Sequence, residues 1–133
     1  MCHMSVSITV VGCSAQEKED WLRVIAMALE DTGVTDITIY VDESCFTSAE
    51  LRERWVGWNI GRTIAVRPEL IARPTRAYAV VLHEIGHVLG LKHTTKKGIM
   101  NAYSCWGSTQ KGVFPTKRVR DKGVRGLYEG PGR

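Results

Sequence analysis

The histidine-rich stretch from His83 to His93 constrains this 133-residue chain more than any other feature. It has the pattern H-E-x-x-H-x-x-G-x-x-H and contains three of the chain's four histidines. Residues four apart lie one turn above each other on an α-helix, so His83 and His87 point the same way and can bind one metal ion. The pattern therefore predicts a helix that carries two ligands of a metal site.

The rest of the motif predicts a third ligand and a base. Gly90 can take the left-handed conformation that ends a helix, which turns the chain and brings His93 back to the metal. A zinc ion held by three histidines keeps a fourth position for water or substrate. The carboxylate of Glu84 is placed to take a proton from that water. We therefore expect one catalytic zinc ion and peptide-bond hydrolysis with Glu84 as general base.

The extended motif resembles that of the metzincin zinc proteases, whose second mark is a Met-containing turn after the third histidine. Residues 98–103 provide such a turn, and Met100 follows His93 at a spacing similar to that of the matrixins. The resemblance implies that Met100 lies beneath the metal as a structural residue and not as a ligand. The sequence lacks the matrixin prosegment motif, so we expect a minimal endopeptidase catalytic domain over residues 1–133.

The resemblance extends to the segment after the turn and covers residues 75–128. In the family this segment forms the wall of the substrate pocket, and Trp106 and Phe114 are the candidates here. Tyr103 is a candidate donor to the transition state, although it follows Met100 by three residues where the family has two. The final helix, from Thr116 to Tyr128, resembles the closing helix of matrixin domains.

The first third of the chain predicts a parallel strand-helix-strand unit. Residues 6–11 and 37–41 alternate apolar and polar side chains, which indicates half-buried strands. Ser14 and Glu17 form a capping box that starts a helix ending at Gly33. We expect its core-facing residues to be Trp21, Leu22, Ile25, Ala28 and Leu29.

The middle of the chain leaves one alternative open. Thr47 and Glu50 could cap a short helix through Arg54, while residues 55–60 could form an edge strand. In the resembled family, extended substrate adds to an exposed sheet edge above the metal. Trp55 and Trp58 would then face substrate, but we favour a place in the core for both.

A third strand, a loop and the central helix follow. Residues 63–66 predict a strand, residues 69–74 a linking loop, and residues 75–89 a helix that is apolar on nearly every side. The fold class is α+β, a metzincin-like zincin with a small twisted mixed sheet, a backing helix and a central active-site helix. Residues 1–90 would form the upper subdomain and residues 91–133 the lower one.

The cysteines and the N-terminal residues are the features that indicate the cellular compartment. Cys2, Cys13, Cys45 and Cys105 form no C-x-x-C pair, and we expect free thiols. Cys2 beside His3 could cap the zinc, but the flanking residues of an inhibitory matrixin cysteine are missing. We find no signal peptide or transmembrane stretch, so we expect a monomer that is cytoplasmic by default and has no membrane partner.

The net charge of +4 leaves two other functions to weigh. We interpret a cationic cluster near the C-terminus as a solvated helix face and not as a nucleic-acid binding site, because no aromatic side chains lie between the charged residues. Its members are Lys111, Lys117, Arg118, Arg120, Lys122 and Arg125. The main alternative is a DNA-associated protease of the WLM or SprT type. A non-catalytic zinc-binding module is disfavoured by the open fourth position and by Glu84.

Overall fold

The computed structural model describes residues 5–47, 55–94, 98–101 and 108–128. It confirms the mixed α+β class, with strands, 3-10 turns and α-helices in one chain. The strands are β1 (Val6–Val10), β2 (Ile37–Val41), β3 (Gly57–Ile60) and β4 (Thr63–Val66), and the α-helices are α1 (Ala15–Thr32), α2 (Pro74–Val88) and α3 (Lys117–Tyr128). No helix in the described part of the chain is long and apolar enough to cross a membrane.

The four strands form one mixed sheet in the order β1-β2-β4-β3. β1 and β4 both pair with β2 in parallel, and β3 pairs with β4 in the opposite direction. The parallel pairing of β1 with β2 confirms the predicted crossover through α1. β3 lies at the edge of the sheet, so the edge-strand alternative is right for residues 57–60, while the alternative helix through Arg54 falls outside the described residues.

Helix α1 begins and ends as its sequence predicts. The Ser14 hydroxyl accepts from the Glu17 amide, the Glu17 carboxylate accepts from the Ser14 amide, and Gly33 closes the helix with a φ of 70°. The fully buried stripe is Trp21, Val24, Ile25 and Ala28. The core prediction was wrong for Leu22, which is 39% exposed, because it lies about 100° around the helix from Trp21.

A tight hairpin and a 3-10 turn lead to the central helix. β3 and β4 are joined by two residues, and Gly61 has a φ of 57°, the positive φ that a type II′ hairpin needs at this position. The predicted loop over residues 69–74 is instead a 3-10 turn over Pro68–Ala72. Two of its residues, Leu70 and Ile71, are buried. Apolar packing therefore orders this segment, which its flanking prolines had led us to predict as a loop.

Helix α2 lies against the sheet and both other helices. It contacts β3, β4, α1 and α3, and its side chains Tyr78, Leu82 and Ile85 are fully buried. Pro74 occupies its first turn, where proline's missing N–H costs nothing. The predicted central position of this helix is thus confirmed, with bounds shifted by one residue.

Helix α3 is tied to α1 and α2 by a partly buried polar junction. Arg120 donates to both carboxylate oxygens of Asp31 on α1, each at 2.8 Å, and the Tyr78 hydroxyl of α2 donates to the same carboxylate at 2.6 Å. Partial burial raises the pKa of Asp31, but the hydrogen bonds from Arg120 and Tyr78 and nearby positive charge outweigh it and hold the pKa below its usual value. We call these three residues the helix junction.

Candidate metal centre

The three histidines of the motif converge on one point. The Nε2 atom of His83 lies 3.2 Å from that of His87 and 3.1 Å from that of His93, and the latter two are 3.0 Å apart. Zinc bound tetrahedrally at about 2.0–2.1 Å from each nitrogen would separate the nitrogens by roughly 3.3 Å. The trio therefore has nearly the spacing that one tetrahedral ion requires, and these residues fit zinc.

Backbone carbonyls fix which ring nitrogen faces the metal. The Nδ1 atom of His83 lies 2.6 Å from the Ile99 carbonyl, and that of His87 lies 2.8 Å from the Leu91 carbonyl. A carbonyl only accepts, so each Nδ1 carries the proton and donates it. Both Nε2 atoms are left with a free lone pair, as ligands require.

The end of α2 places the third histidine. The Gly90 amide donates to His87 and the Leu91 amide donates to Gly86, both at 2.9 Å, which is the hydrogen-bond pattern of a Schellman cap. Gly90 has the left-handed φ of 90° that this cap needs. The turn predicted at Gly90 is therefore present. It brings His93 back and also presents the Leu91 carbonyl to His87.

The turn over residues 98–101 supports the site from below. Met100 is 5% exposed, and a Cβ built on Gly86 of α2 would overlap its sulfur. The Met100 carbonyl accepts from the Thr94 amide at 3.1 Å, next to the third histidine. Ile99 of the same turn accepts from His83. Met100 thus packs directly against helix α2, and its place beneath a metal ion stays a prediction.

The surroundings of His83 and His93 lower the pKa values of these two imidazoles. Burial lowers the pKa of His83 to about 4, with added effects from His87 and His93, although the hydrogen bond to Ile99 acts in the opposite direction. Partial burial, followed by the charge of His87, lowers the pKa of His93. Neutral imidazole is the form that binds a metal. A lowered pKa means that His83 and His93 do not have to lose a proton before they bind one.

Glu84 occupies a buried place beside the first ligand. The residue is 5% exposed, and desolvation raises the pKa of its carboxyl to about 7. A general base works best when its pKa lies near the working pH. The burial of Glu84 and the raised pKa of its carboxyl suit a proton acceptor, and its role as general base stays a prediction.

The edge strand β3 runs next to Glu84. A Cβ built on Gly57 would lie 3.3 Å from the Glu84 Cγ atom. Arg67 donates from its amide to the Val56 carbonyl, which makes these two residues a hydrogen-bonded antiparallel pair. Because bonded and non-bonded pairs alternate along the ladder, the backbone groups of Gly57 and Asn59 point away from β4. Among the described residues no strand pairs with this outer edge, which we call the free edge, and it runs beside Glu84.

A buried arginine anchors the start of β3. The Arg67 guanidinium donates at 2.6 Å both to the Trp55 carbonyl and to the Glu43 carboxylate, and it lies over the Phe46 ring. Trp58 is half-buried and donates from its indole to the Cys45 carbonyl. Trp55 is 42% exposed, so the core position we favoured for it was wrong.

Other predicted residues lie away from the metal or outside the described ranges. The Phe114 ring stacks on Arg23 of α1, and the neighbouring Val113 carbonyl accepts from Thr75 at the start of α2. Thr75 is eight residues before His83, or about 12 Å along the helix. Phe114 therefore belongs to the far end of α2. Tyr103 and Trp106 lie outside the described residues, as do Cys2, His3 and Cys105, and their roles stay predictions.

The cationic cluster lies mostly in solvent, and the two cysteines in the described ranges are free thiols. Lys117 pairs with Asp121 at 2.9 Å, and Arg120 belongs to the helix junction. Cys13 and Cys45 are free thiols, and partial burial raises the pKa of both, with a further contribution from nearby carboxylates. Lys111, Arg118, Lys122 and Arg125 are exposed. These placements agree with a solvated helix face.

Sequence reasoning missed the partners that hold the ligands in place. The carbonyls of Leu91 and Ile99 carry no sequence signal, because any residue could supply them. Gly57 did carry one, since a glycine at a strand position often marks a close approach of backbone to another group. A glycine inside the edge strand predicted over residues 55–60 could have been singled out for that reason.

Comparison with known proteins agrees with this geometry. The family model for matrixin matches residues 16–129 of the 133-residue chain. No curated protein and no solved structure matches the chain significantly. Matrixins depend on zinc, and the group formed by His83, His87 and His93 could hold that ion. The protein is a member of the matrixin family of zinc metalloproteases.

Proposed function

We propose that this chain is a zinc endopeptidase in which His83, His87 and His93 hold the metal and Glu84 is the general base. The observation that carries the proposal is the convergence of three Nε2 atoms, 3.0–3.2 Å apart, beside a buried carboxylate. When bound, the ion acts as a Lewis acid that makes water a nucleophile at neutral pH and polarises the substrate carbonyl. Residues 1–133 would form one catalytic domain.

Each residue of the site has a separate task in this proposal. Glu84 accepts a proton from the attacking water and returns it to the leaving amine. The carbonyls of Ile99 and Leu91 hold the imidazoles of His83 and His87 in one tautomer. Met100 fills the space beneath α2 and keeps the helix from moving towards the turn.

The free edge of β3 is the proposed docking site for substrate. The outward backbone groups of Gly57 and Asn59 can pair with an extended peptide and lengthen the sheet by one strand. Because Gly57 lies beside the Glu84 side chain, a peptide on this edge would place a carbonyl group next to the general base. Backbone pairing does not depend on side chains, so the proposal includes a broad set of extended peptides.

Glu84→Gln is the direct test. The amide has nearly the same shape but cannot accept the proton, so we expect turnover to fall by about 10²–10⁴-fold while one zinc per chain is retained. Turnover is measured on a casein-derived peptide library, with and without a hydroxamate, and zinc by elemental analysis. A wild-type protein that binds zinc but cleaves no peptide would show a non-catalytic module instead. A variant as active as wild type would remove Glu84 from its role.

A further inference from the structure

We propose that Gly57 is a positioning residue for Glu84, and that its missing side chain lets the edge strand hold the catalytic carboxylate in place. This inference rests on the proposed function and assigns a role to a residue outside the metal-binding motif. Gly57 is buried at the start of β3, with α2 on one side and β4 on the other.

The space at Gly57 is fully used by its neighbours. A Cβ there would lie 3.0 Å from the Val80 Cγ1 atom, 3.3 Å from the Ala65 carbonyl oxygen and 3.3 Å from the Glu84 Cγ atom. Carbon atoms pack best at about 3.5–4.0 Å, so a methyl group would force at least one of these neighbours to move. The backbone of Gly57 therefore already forms one wall of the Glu84 side-chain site.

The three neighbours differ in how easily they can move. The Ala65 oxygen belongs to the backbone of β4, inside the sheet. Val80 is β-branched and sits in α2, where one side-chain rotamer is strongly preferred. Glu84 is unbranched and can rotate about several bonds. A methyl group at position 57 would therefore displace mainly the Glu84 side chain, and with it the carboxylate.

This displacement should affect turnover more than substrate binding. A misplacement of about 1 Å at a reacting group can cost on the order of 100-fold in rate. Gly57→Ala keeps the backbone N–H and C=O that pair with substrate, and it leaves the three histidines unchanged. We therefore expect kcat to fall by about 10- to 100-fold, KM to change by less than about threefold, and zinc content to stay at one per chain.

A second measurement separates an effect through Glu84 from an effect on the strand. The affinity of a peptide hydroxamate for the zinc-loaded protein is measured by calorimetry, since its hydroxyl group would be held by the Glu84 carboxylate. Gly57→Ala should weaken binding in the wild-type background. In a Glu84→Ala background the Cγ atom is gone, and we expect Gly57→Ala to have no further effect.

The control and the rescue variant come from the same structure. Ser7→Thr adds a methyl group to an exposed position of β1, the strand at the opposite edge of the sheet, and it should leave kcat within about twofold. If Gly57→Ala folds poorly, Val80→Ala removes the closest contact, and the double variant is compared with Val80→Ala alone.

Two outcomes would overturn the proposal. One is a Gly57→Ala protein with the kcat and hydroxamate affinity of wild type. The other is an equal loss of hydroxamate affinity in both Glu84 backgrounds, which would place the effect in the strand. An inactive wild-type protein would instead contradict the proposed function, so the two failures are distinguishable.

Discussion

The metal ligands before and after Gly90 are held by different means. His83 and His87 belong to a helix that packs in the core, and their rings are half-buried and hydrogen-bonded to carbonyls. His93 is exposed and follows a turn fixed by a few backbone hydrogen bonds. The difference indicates that the helix provides a rigid pair of ligands, while the third depends on how the turn is anchored.

The largest effects are expected from His83→Ala and His93→Ala, and comparing the two variants tests this contrast. Either change removes one of three ligands, so we expect zinc affinity to fall by more than about 100-fold in both. Without metal the two should differ. His83→Ala loses a half-buried ring and leaves the Ile99 carbonyl without its donor, which should lower the free energy of unfolding by about 1–3 kcal/mol. His93→Ala should change it by less than about 0.5 kcal/mol.

Zinc titration calorimetry gives the affinities, and urea unfolding in the presence of a chelator gives the stabilities. Equal destabilisation of the two metal-free variants would show that both ligands are equally integrated into the fold. The contrast between the helix and the turn would then be wrong.

A smaller effect is expected at the helix junction, which attaches α3 to α1 and to α2, the helix that carries His83 and His87. Asp31→Asn removes the charge that Arg120 and Tyr78 share. Hydrogen bonds to charged groups contribute about 1.5–3 kcal/mol, so we expect a loss of about 2–3 kcal/mol in urea unfolding. The control is Asp121→Asn, which breaks an exposed ion pair with Lys117 and should cost less than about 0.5 kcal/mol. A loss no larger than the control would make the junction unimportant.

The same junction predicts a pH dependence. The pKa of Asp31 is below its usual value in the folded protein, so its stabilisation is complete above the unfolded-state pKa of about 3.9 and is lost as pH falls through the folded-state value. The gap in unfolding free energy between wild type and Asp31→Asn should therefore stay constant from about pH 7 to 5 and narrow below about pH 4. Urea unfolding at pH 7, 5 and 3 measures it. An unchanged gap at pH 3 would contradict the assignment.

Sequence patterns predicted helices and turns well where each residue's conformation depends on residues close to it in sequence. The capping box at Ser14, the left-handed residue at Gly90 and the apolar helix α2 are set by contacts within a turn or two of chain. The helix junction could not be predicted this way. Asp31 and Arg120 are 89 residues apart in sequence, and only the packing of α1 against α3 brings them together.

The candidate site likewise has features that the local sequence predicts and features that depend on distant segments. Its ligands and base follow from one continuous motif, and the structure brings the three histidines together as that motif predicts. What the motif does not contain is the surrounding support, since the carbonyls that orient the rings and the glycine that borders Glu84 belong to other segments. Trp55 shows a different error, because this large apolar residue was expected in the core and is instead 42% exposed.

The contact of Gly86 with Met100 has a consequence for how sequences with this architecture can vary. A side chain at position 86 would compete for the same space as the methionine sulfur and approach Leu127 of α3. The three positions therefore share a single fixed volume. Any descendant of this chain that enlarges one of them must shrink another, and substitutions there should occur in compensating pairs.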